Sequence, residues 1–121
     1  MTETSPKPVY DLEERTYQFA RMVRNYVKSL PNSLSSFEDG KQVIRSSGSI
    51  GANYIEANEA LSKKDFLMRM KICRKEAKES VYWLKLLSGE NDDSRLNLAK
   101  SLIQEATELT KIFSAIIEKS K

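Results

Sequence analysis

The sequence contains no histidine and a single cysteine, Cys73. Without histidine, the chain cannot form a Ser-His-Asp triad, a Cys-His dyad or a metal site that uses imidazole. One cysteine excludes a disulfide within the chain. Cys73 lies among apolar residues at helical spacing, so we expect a small core residue rather than a reactive thiol. These absences predict a protein that is not an enzyme and that holds no metal or cofactor.

Turn-forming residues are also scarce, with four glycines and three prolines among 121 residues. No stretch approaches the roughly 18–20 apolar residues that a transmembrane helix needs, so we expect no membrane partner. Hydrophobic residues make up 40% of the chain, which is too many for a disordered protein. We therefore expect one mostly helical domain over residues 9–121 behind a polar, disordered tail over residues 1–8. That tail has no apolar segment, so we expect no secretory signal and a cytoplasmic location.

Four segments place apolar residues at every third or fourth position, which is the pattern of amphipathic helices. The segments cover roughly residues 9–30, 35–61, 62–88 and 94–121. Because the connections between them are short, consecutive helices are expected to run in opposite directions. The sequence therefore predicts an all-α, antiparallel up-down-up-down four-helix bundle.

Several residues are predicted to mark the ends of these helices. Ser62, followed three positions later by Asp65, resembles a capping box at the start of the third helix. Gly89 is predicted to end that helix. Asp93 or Ser94 is predicted to cap the fourth helix.

The second segment contains Gly40, Gly48 and Gly51, each of which costs roughly 1 kcal/mol relative to alanine in a helix. We expect tight packing against another backbone to compensate, and a break in the helix near Gly48 is the alternative. The predicted buried row of this helix consists of Phe37, Val43, Ile44, Ile50, Tyr54, Ile55 and Leu61.

The third segment carries its basic residues on one side. At about 100° per residue, they fall with Tyr82 within an arc of about 120°. A basic stripe that contains an aromatic residue is typical of nucleic-acid-binding surfaces, where lysines contact phosphates without reading sequence. The formal net charge is only +3, so a solvated face or a contact with acids on a neighbouring subunit is the alternative. The stripe contains Lys63, and its predicted nucleic-acid-binding residues are Lys64, Lys71, Arg74, Lys75, Lys78 and Lys85.

Two other features indicate an oligomer. On the second helix, the face opposite the apolar row contains Arg45, Asn53 and Glu56 together with small residues that favour close approach. Trp83 lies outside the core arc of the third helix, and exposed tryptophan is enriched at interfaces. We therefore predict that these four residues serve interface or structural roles.

Paired carboxylates are the one feature that would suit catalysis or a hard cation. Glu56 and Glu59 share a helix face, as do Glu76 and Glu79. Such pairs bind cations in some sites, but they more often form a solvated face or salt bridges. We expect the second role here.

The second and third segments resemble a known bacterial family, that of the 23S rRNA-intervening-sequence proteins. The resemblance covers roughly residues 10–118, and Ala57 replaces a glycine found in many members. Its motifs are RSSGSIGANYIEA at 45–57, SKKDF at 62–66, KICRKEAKES at 71–80 and YWL at 82–84.

This resemblance implies a four-helix subunit that assembles into a ring-shaped homopentamer, and it implies no enzymatic activity. It implies interface or structural roles for the signature residues Arg45, Asn53 and Glu56. A related group, the accessory proteins of diversity-generating retroelements, binds a reverse transcriptase and nucleic acid through a basic surface. The leading hypothesis is thus a non-enzymatic oligomer that binds RNA or DNA through the third helix. The alternative is a scaffold for a protein partner that does not bind nucleic acid.

Overall fold

The computed structural model describes residues 11–89 and 91–121, with the backbone alone of Asp93. These residues form four helices and no strand: α1 (Leu12–Ser29), α2 (Leu34–Asn58), α3 (Lys63–Ser88) and α4 (Asp93–Ser120). The all-helical prediction is confirmed, whereas the predicted tail over residues 1–8 lies outside the described residues. Within the described part of the chain, no helix is long and apolar enough to cross a membrane.

Serine side chains cap the starts of α2 and α3. The hydroxyl of Ser33 accepts a hydrogen bond from the backbone N–H of Ser36 at 3.1 Å. Ser62 accepts in the same way from the N–H of Asp65 at 3.0 Å. Each bond satisfies one of the N–H groups that a helix start leaves without a partner. The predicted cap at Ser62 is therefore confirmed.

The predicted cap of α4 is wrong by one or two residues. Asp92 accepts from the N–H of Arg95 at 3.1 Å, so the helix begins at Asp93.

Gly89 follows the last residue of α3, as predicted, but its φ of −63° is right-handed. The freedom of glycine at positive φ is thus not what ends that helix.

The core receives buried side chains from all four helices. Cys73 is fully buried among them, and its thiol donates to the carbonyl oxygen of Ile50 at 3.4 Å. Burial raises the pKa of this thiol to about 12. The prediction of a core cysteine is confirmed. The largest fully buried side chains include Phe19, Tyr26, Ile50, Met70, Leu84, Leu102 and Phe113.

The predicted buried row of α2 is partly wrong. Phe37 and Ile55 are 63% and 46% exposed, and Leu61 lies beyond the end of the helix with 99% exposure. The buried positions of α2 also include small residues outside the predicted row, namely Gly40, Ser46, Ser47 and Ala57.

These small residues allow neighbouring helices to approach α2 closely. The hydroxyls of Ser46 and Ser80 lie 2.8 Å apart, which joins α2 to α3. A Cβ atom added to Gly51 would lie 2.9 Å from the hydroxyl oxygen of Thr16 on α1. The predicted tight packing is confirmed. The alternative of a break at Gly48 is wrong, since α2 continues through it.

Contacts between the helices follow a reversed sequence order. On α2, Gly40 lies against Val27 of α1, while Gly51 lies against the earlier residue Thr16. On α4, Glu105 accepts from Arg15 of α1 at 2.6 and 2.9 Å. Nearer the start of α4, Arg95 donates to the carbonyl oxygen of Ser29, at the end of α1. The third helix packs against α2 and α4 and leaves its remaining side exposed.

Candidate nucleic-acid interface

The exposed side of α3 carries a row of lysines, which we call the lysine face: Lys64, Lys71, Lys75, Lys78 and Lys85. All five side chains are exposed, and none forms an ion pair with another described residue. At 1.5 Å per residue, the row extends about 32 Å along the helix. Lys63 is exposed as well, at the beginning of α3. Such uncompensated charges attract polyanions.

Arg74 belongs to the edge of this face rather than to its centre. Its side chain is half-buried, and its Nη1 donates to the hydroxyl of Ser114 on α4 at 3.5 Å. Its charge also reaches Glu118, whose pKa is lowered first by a hydrogen bond from Lys121 and to a smaller extent by Arg74. The charge of Arg74 is therefore directed partly toward α4.

The lysine face includes an apolar floor near the start of α3. Leu67, Met68 and Ile72 line a shallow groove of about 780 Å³. The rim of that groove is basic and consists of Lys63, Lys64, Lys71 and Lys75. This combination of apolar floor and basic rim can contact both the bases and the phosphates of a nucleic acid.

Tyr82 is the exposed aromatic residue of this side of α3, with 58% of its surface accessible. Its ring packs edge-on against Trp83, with the ring centroids 5.0 Å apart and the planes at 78°. Trp83 itself is only partly exposed and packs against the core, which corrects the expectation of an exposed tryptophan. The indole N–H of Trp83 donates to Glu79 at 3.3 Å.

The two carboxylates of α3 that lie toward α2 are both paired with Arg45. The guanidinium donates to the two oxygens of Glu76 at 3.3 and 3.5 Å, and it also donates to Glu79. The side chain of Glu76 is 7% exposed and that of Arg45 is 51% exposed. The hydrogen bond to Glu76 is the largest cause of a raised pKa at Arg45. This pairing offsets one of the two negative charges on this edge of α3 within the subunit.

The signature residues of α2 are not equivalent in their surroundings. Asn53 donates to the carbonyl oxygen of Ser49 at 2.9 Å and accepts from Arg69 of α3 at 3.1 Å. Asn53 and Arg45 therefore both connect α2 to α3 inside one subunit. Glu56 is exposed and forms no ion pair with the described residues.

Two of the residues that join α2 to α3 were missed in the sequence. Arg69 bonds Asn53, and Ser80 bonds Ser46. Helical spacing contains the signal for both, because each lies on the side of α3 away from the lysine stripe. Neither residue is apolar, so the hydrophobic pattern did not mark it.

A second surface feature is an open groove of about 680 Å³ between α1 and α2. Tyr17 and Ile55 line it and are both about half exposed. The α2 side of this groove is lined by small residues, namely Gly48, Gly51 and Ala52. Among residues 11–89 and 91–121, no group of three or more Cys, Asp or Glu side chains is arranged to hold a metal ion.

The four helices, with their close contacts at small residues, define a small all-α protein. The chain belongs to the 23S rRNA-intervening sequence protein family, whose family model matches residues 10–115. The resemblance seen in the sequence is thereby confirmed. The comparison with curated proteins gives no match.

A solved structure is similar over nearly the whole chain. It is the crystal structure of a protein of unknown function from the S23 ribosomal protein family of Bacteroides thetaiotaomicron VPI-5482. The TM-score is 0.78 at 35% sequence identity, and the match covers 91% of this chain and 97% of that one.

Proposed function

We propose that this protein is a non-enzymatic homo-oligomer that binds RNA or DNA through the lysine face, without reading sequence. The observation that supports this function is the row of five exposed lysines on one side of α3, none of them paired with a described carboxylate. Such binding depends on the release of counterions. The logarithm of the association constant therefore falls linearly with the logarithm of the salt concentration. The slope of this plot, the salt slope, is about −0.7 per neutralised phosphate on single strands and about −0.9 on duplex.

The proposed subunit is an antiparallel up-down-up-down bundle over residues 9–121, and five subunits form a ring in the cytoplasm. The reversed order of contacts between α1 and its neighbours supports the antiparallel arrangement. The open groove with Tyr17 and Ile55 supports a contact between subunits along α1 and α2. In a ring, each subunit presents the same lysines, so several weak phosphate contacts act together on one strand.

The surroundings of the carboxylates support a binding role rather than catalysis. Glu76 and Glu79 are already engaged by Arg45, so neither is available as a general base without breaking that contact. Glu56 and Glu59 are exposed to water rather than enclosed in a pocket.

The proposal is tested by reversing charge on the lysine face. The variant carries Lys71→Glu, Lys75→Glu and Lys78→Glu. A control variant carries Lys28→Glu on α1 and Lys100→Glu and Lys119→Glu on α4, so its net charge changes by the same amount as that of the α3 variant. Binding of labelled RNA is measured by fluorescence anisotropy over a series of salt concentrations, and particle mass by light scattering.

We expect the α3 variant to lose affinity and to show a salt slope that is less steep by about 2, because three contacts on a single strand are lost. The control should retain most of the affinity, and the unchanged protein should have a mass near five subunits. Equal effects of the two variants would contradict the proposed site. If the unchanged protein ignores nucleic acid while the α3 variant alters the particle mass, the lysine face instead contacts protein.

A further inference from the structure

We infer that Tyr82 is a platform on which one unpaired base stacks, so that the lysine face prefers single-stranded RNA or DNA to duplex. The inference rests on the proposed function of the lysines as phosphate contacts. In a duplex, the bases are stacked on each other and their faces are closed to a side chain on a helix surface. A single strand leaves those faces open, and every base has one that can stack on an aromatic ring.

Tyr82 lies within the lysine face. Lys78 precedes it by four residues and Lys85 follows it by three, so both ammonium groups belong to the same side of the helix. Leu86, four residues after Tyr82, is 47% exposed and extends the apolar surface beside the ring. A backbone that contacts the two lysines would therefore place a base over Tyr82.

The ring of Tyr82 is also held in place before any ligand arrives. Trp83 contacts it in a T-shaped arrangement and is itself fixed by its hydrogen bond to Glu79. Glu79 is in turn bound by Arg45. A ring that is already ordered loses little conformational freedom when a base stacks on it.

The charge next to Tyr82 is suited to a phosphate backbone. Glu79 lies three residues before Tyr82, and an unpaired carboxylate there would repel a strand. Because Arg45 bonds both Glu79 and Glu76, it offsets one of their two negative charges. Lys78 and Lys85, on either side of Tyr82, outnumber the charge that remains. The length of the lysine face, about 32 Å, is of a size to hold a short single strand. Sites on other single-strand-binding proteins take about 4–16 nucleotides.

The experiment compares Tyr82→Leu with Tyr82→Phe. Leucine removes the ring and keeps apolar bulk, whereas phenylalanine retains the stacking face. The probes are a labelled mixed-sequence RNA of about 16 nucleotides, at the upper end of those site sizes, and the same strand annealed to its complement. Because Tyr82 is more than half exposed, we expect both variants to keep the fold and the particle mass of the parent, as checked by circular dichroism and light scattering.

We expect Tyr82→Leu to weaken single-strand binding by about 5- to 150-fold, the loss associated with one stacked base. Tyr82→Phe should bind within a few-fold of the parent, and duplex binding should be the same for all three proteins. Ultraviolet cross-linking followed by mass spectrometry should locate the linked base on Tyr82.

Three results would overturn the inference. If Tyr82→Leu binds the single strand as the parent does, while the triple glutamate variant does not, the lysines bind phosphate and no base stacks. Tighter binding of the duplex than of the single strand would overturn the preference for single strands. If Tyr82→Leu changes the particle mass and leaves RNA affinity intact, the ring belongs to a protein contact.

Discussion

The packing face of α2 and the exposed side of α3 differ in whether their polar groups have partners within the protein. On α2, the guanidinium of Arg45 and the hydroxyl of Ser46 are bonded to partners on α3. On the lysine face, long charged side chains have no partner within the described residues. The first arrangement holds the subunit together. The second contributes little to folding and leaves its charge for an external ligand.

The difference follows from the lengths and surroundings of the side chains. Serine and glycine bring two helix backbones close, so their polar groups are buried and need internal partners. A lysine extends its charge into water, where it stays solvated without a partner. Substitutions on α2 should therefore change stability, and substitutions on the lysine face should change binding.

The largest effect on stability is expected at Arg45. Arg45→Met removes the cation beside Glu76, whose side chain is only 7% exposed. A buried acceptor that loses its partner costs about 1–3 kcal/mol, so the free energy of unfolding in urea should fall by about that amount. Adding Glu76→Gln should recover part of the loss, because the neutral amide needs no cation. An Arg45→Met variant as stable as its parent would show that the contacts of Arg45 with α3 contribute no more to stability than the lysine face does.

Two glycines of the same helix give a smaller and more local test. Gly51→Ala places a Cβ 2.9 Å from the Thr16 hydroxyl oxygen, and overpacking of this kind costs about 1–3 kcal/mol. Alanine returns about 1 kcal/mol of helix propensity, so we expect a net destabilisation of about 1 kcal/mol. At Gly48, the nearest atom is an Arg24 nitrogen at 3.5 Å, an ordinary contact. Gly48→Ala should therefore stabilise the protein, and matching urea midpoints for the two variants would exclude close packing at Gly51.

The smallest effect on stability is expected on the lysine face. Lys71→Gln should change the free energy of unfolding by no more than about 0.5 kcal/mol, the usual limit for a surface substitution. The same change should make the salt slope of single-strand binding less steep by about 0.7. Lys28→Gln on α1 is the control and should leave the slope unchanged. A marked loss of stability from Lys71→Gln would mean that this lysine has a structural partner.

Periodicity was sufficient to predict four helices, because an amphipathic helix repeats its apolar residues over many turns. It failed on α2, where Phe37 and Ile55 are exposed and Ser46 and Ser47 are buried. Hydropathy treats serine as polar, and only the structure shows that Ser80 satisfies the hydroxyl of Ser46. Burial on this helix is decided by how closely the backbones approach rather than by hydropathy.

The candidate site was predictable to a similar extent. Angular spacing placed the lysines on one side of α3, and their side chains are exposed there. It could not show that Arg74 donates to Ser114, or that Arg45 bonds two carboxylates thirty-one and thirty-four positions further along the chain. Those contacts depend on which helices are neighbours, and the sequence of one helix does not contain that information.

The buried thiol of Cys73 allows separation of α2 from α3 to be followed without an added label site. Its pKa of about 12 keeps it protonated at neutral pH, and its bond to the Ile50 carbonyl lies between α2 and α3. A thiol reagent therefore reacts only during the intervals when these two helices part. Since the chain has no other cysteine, the labelling rate depends on those openings alone. Any ligand that holds the two helices together should slow that rate.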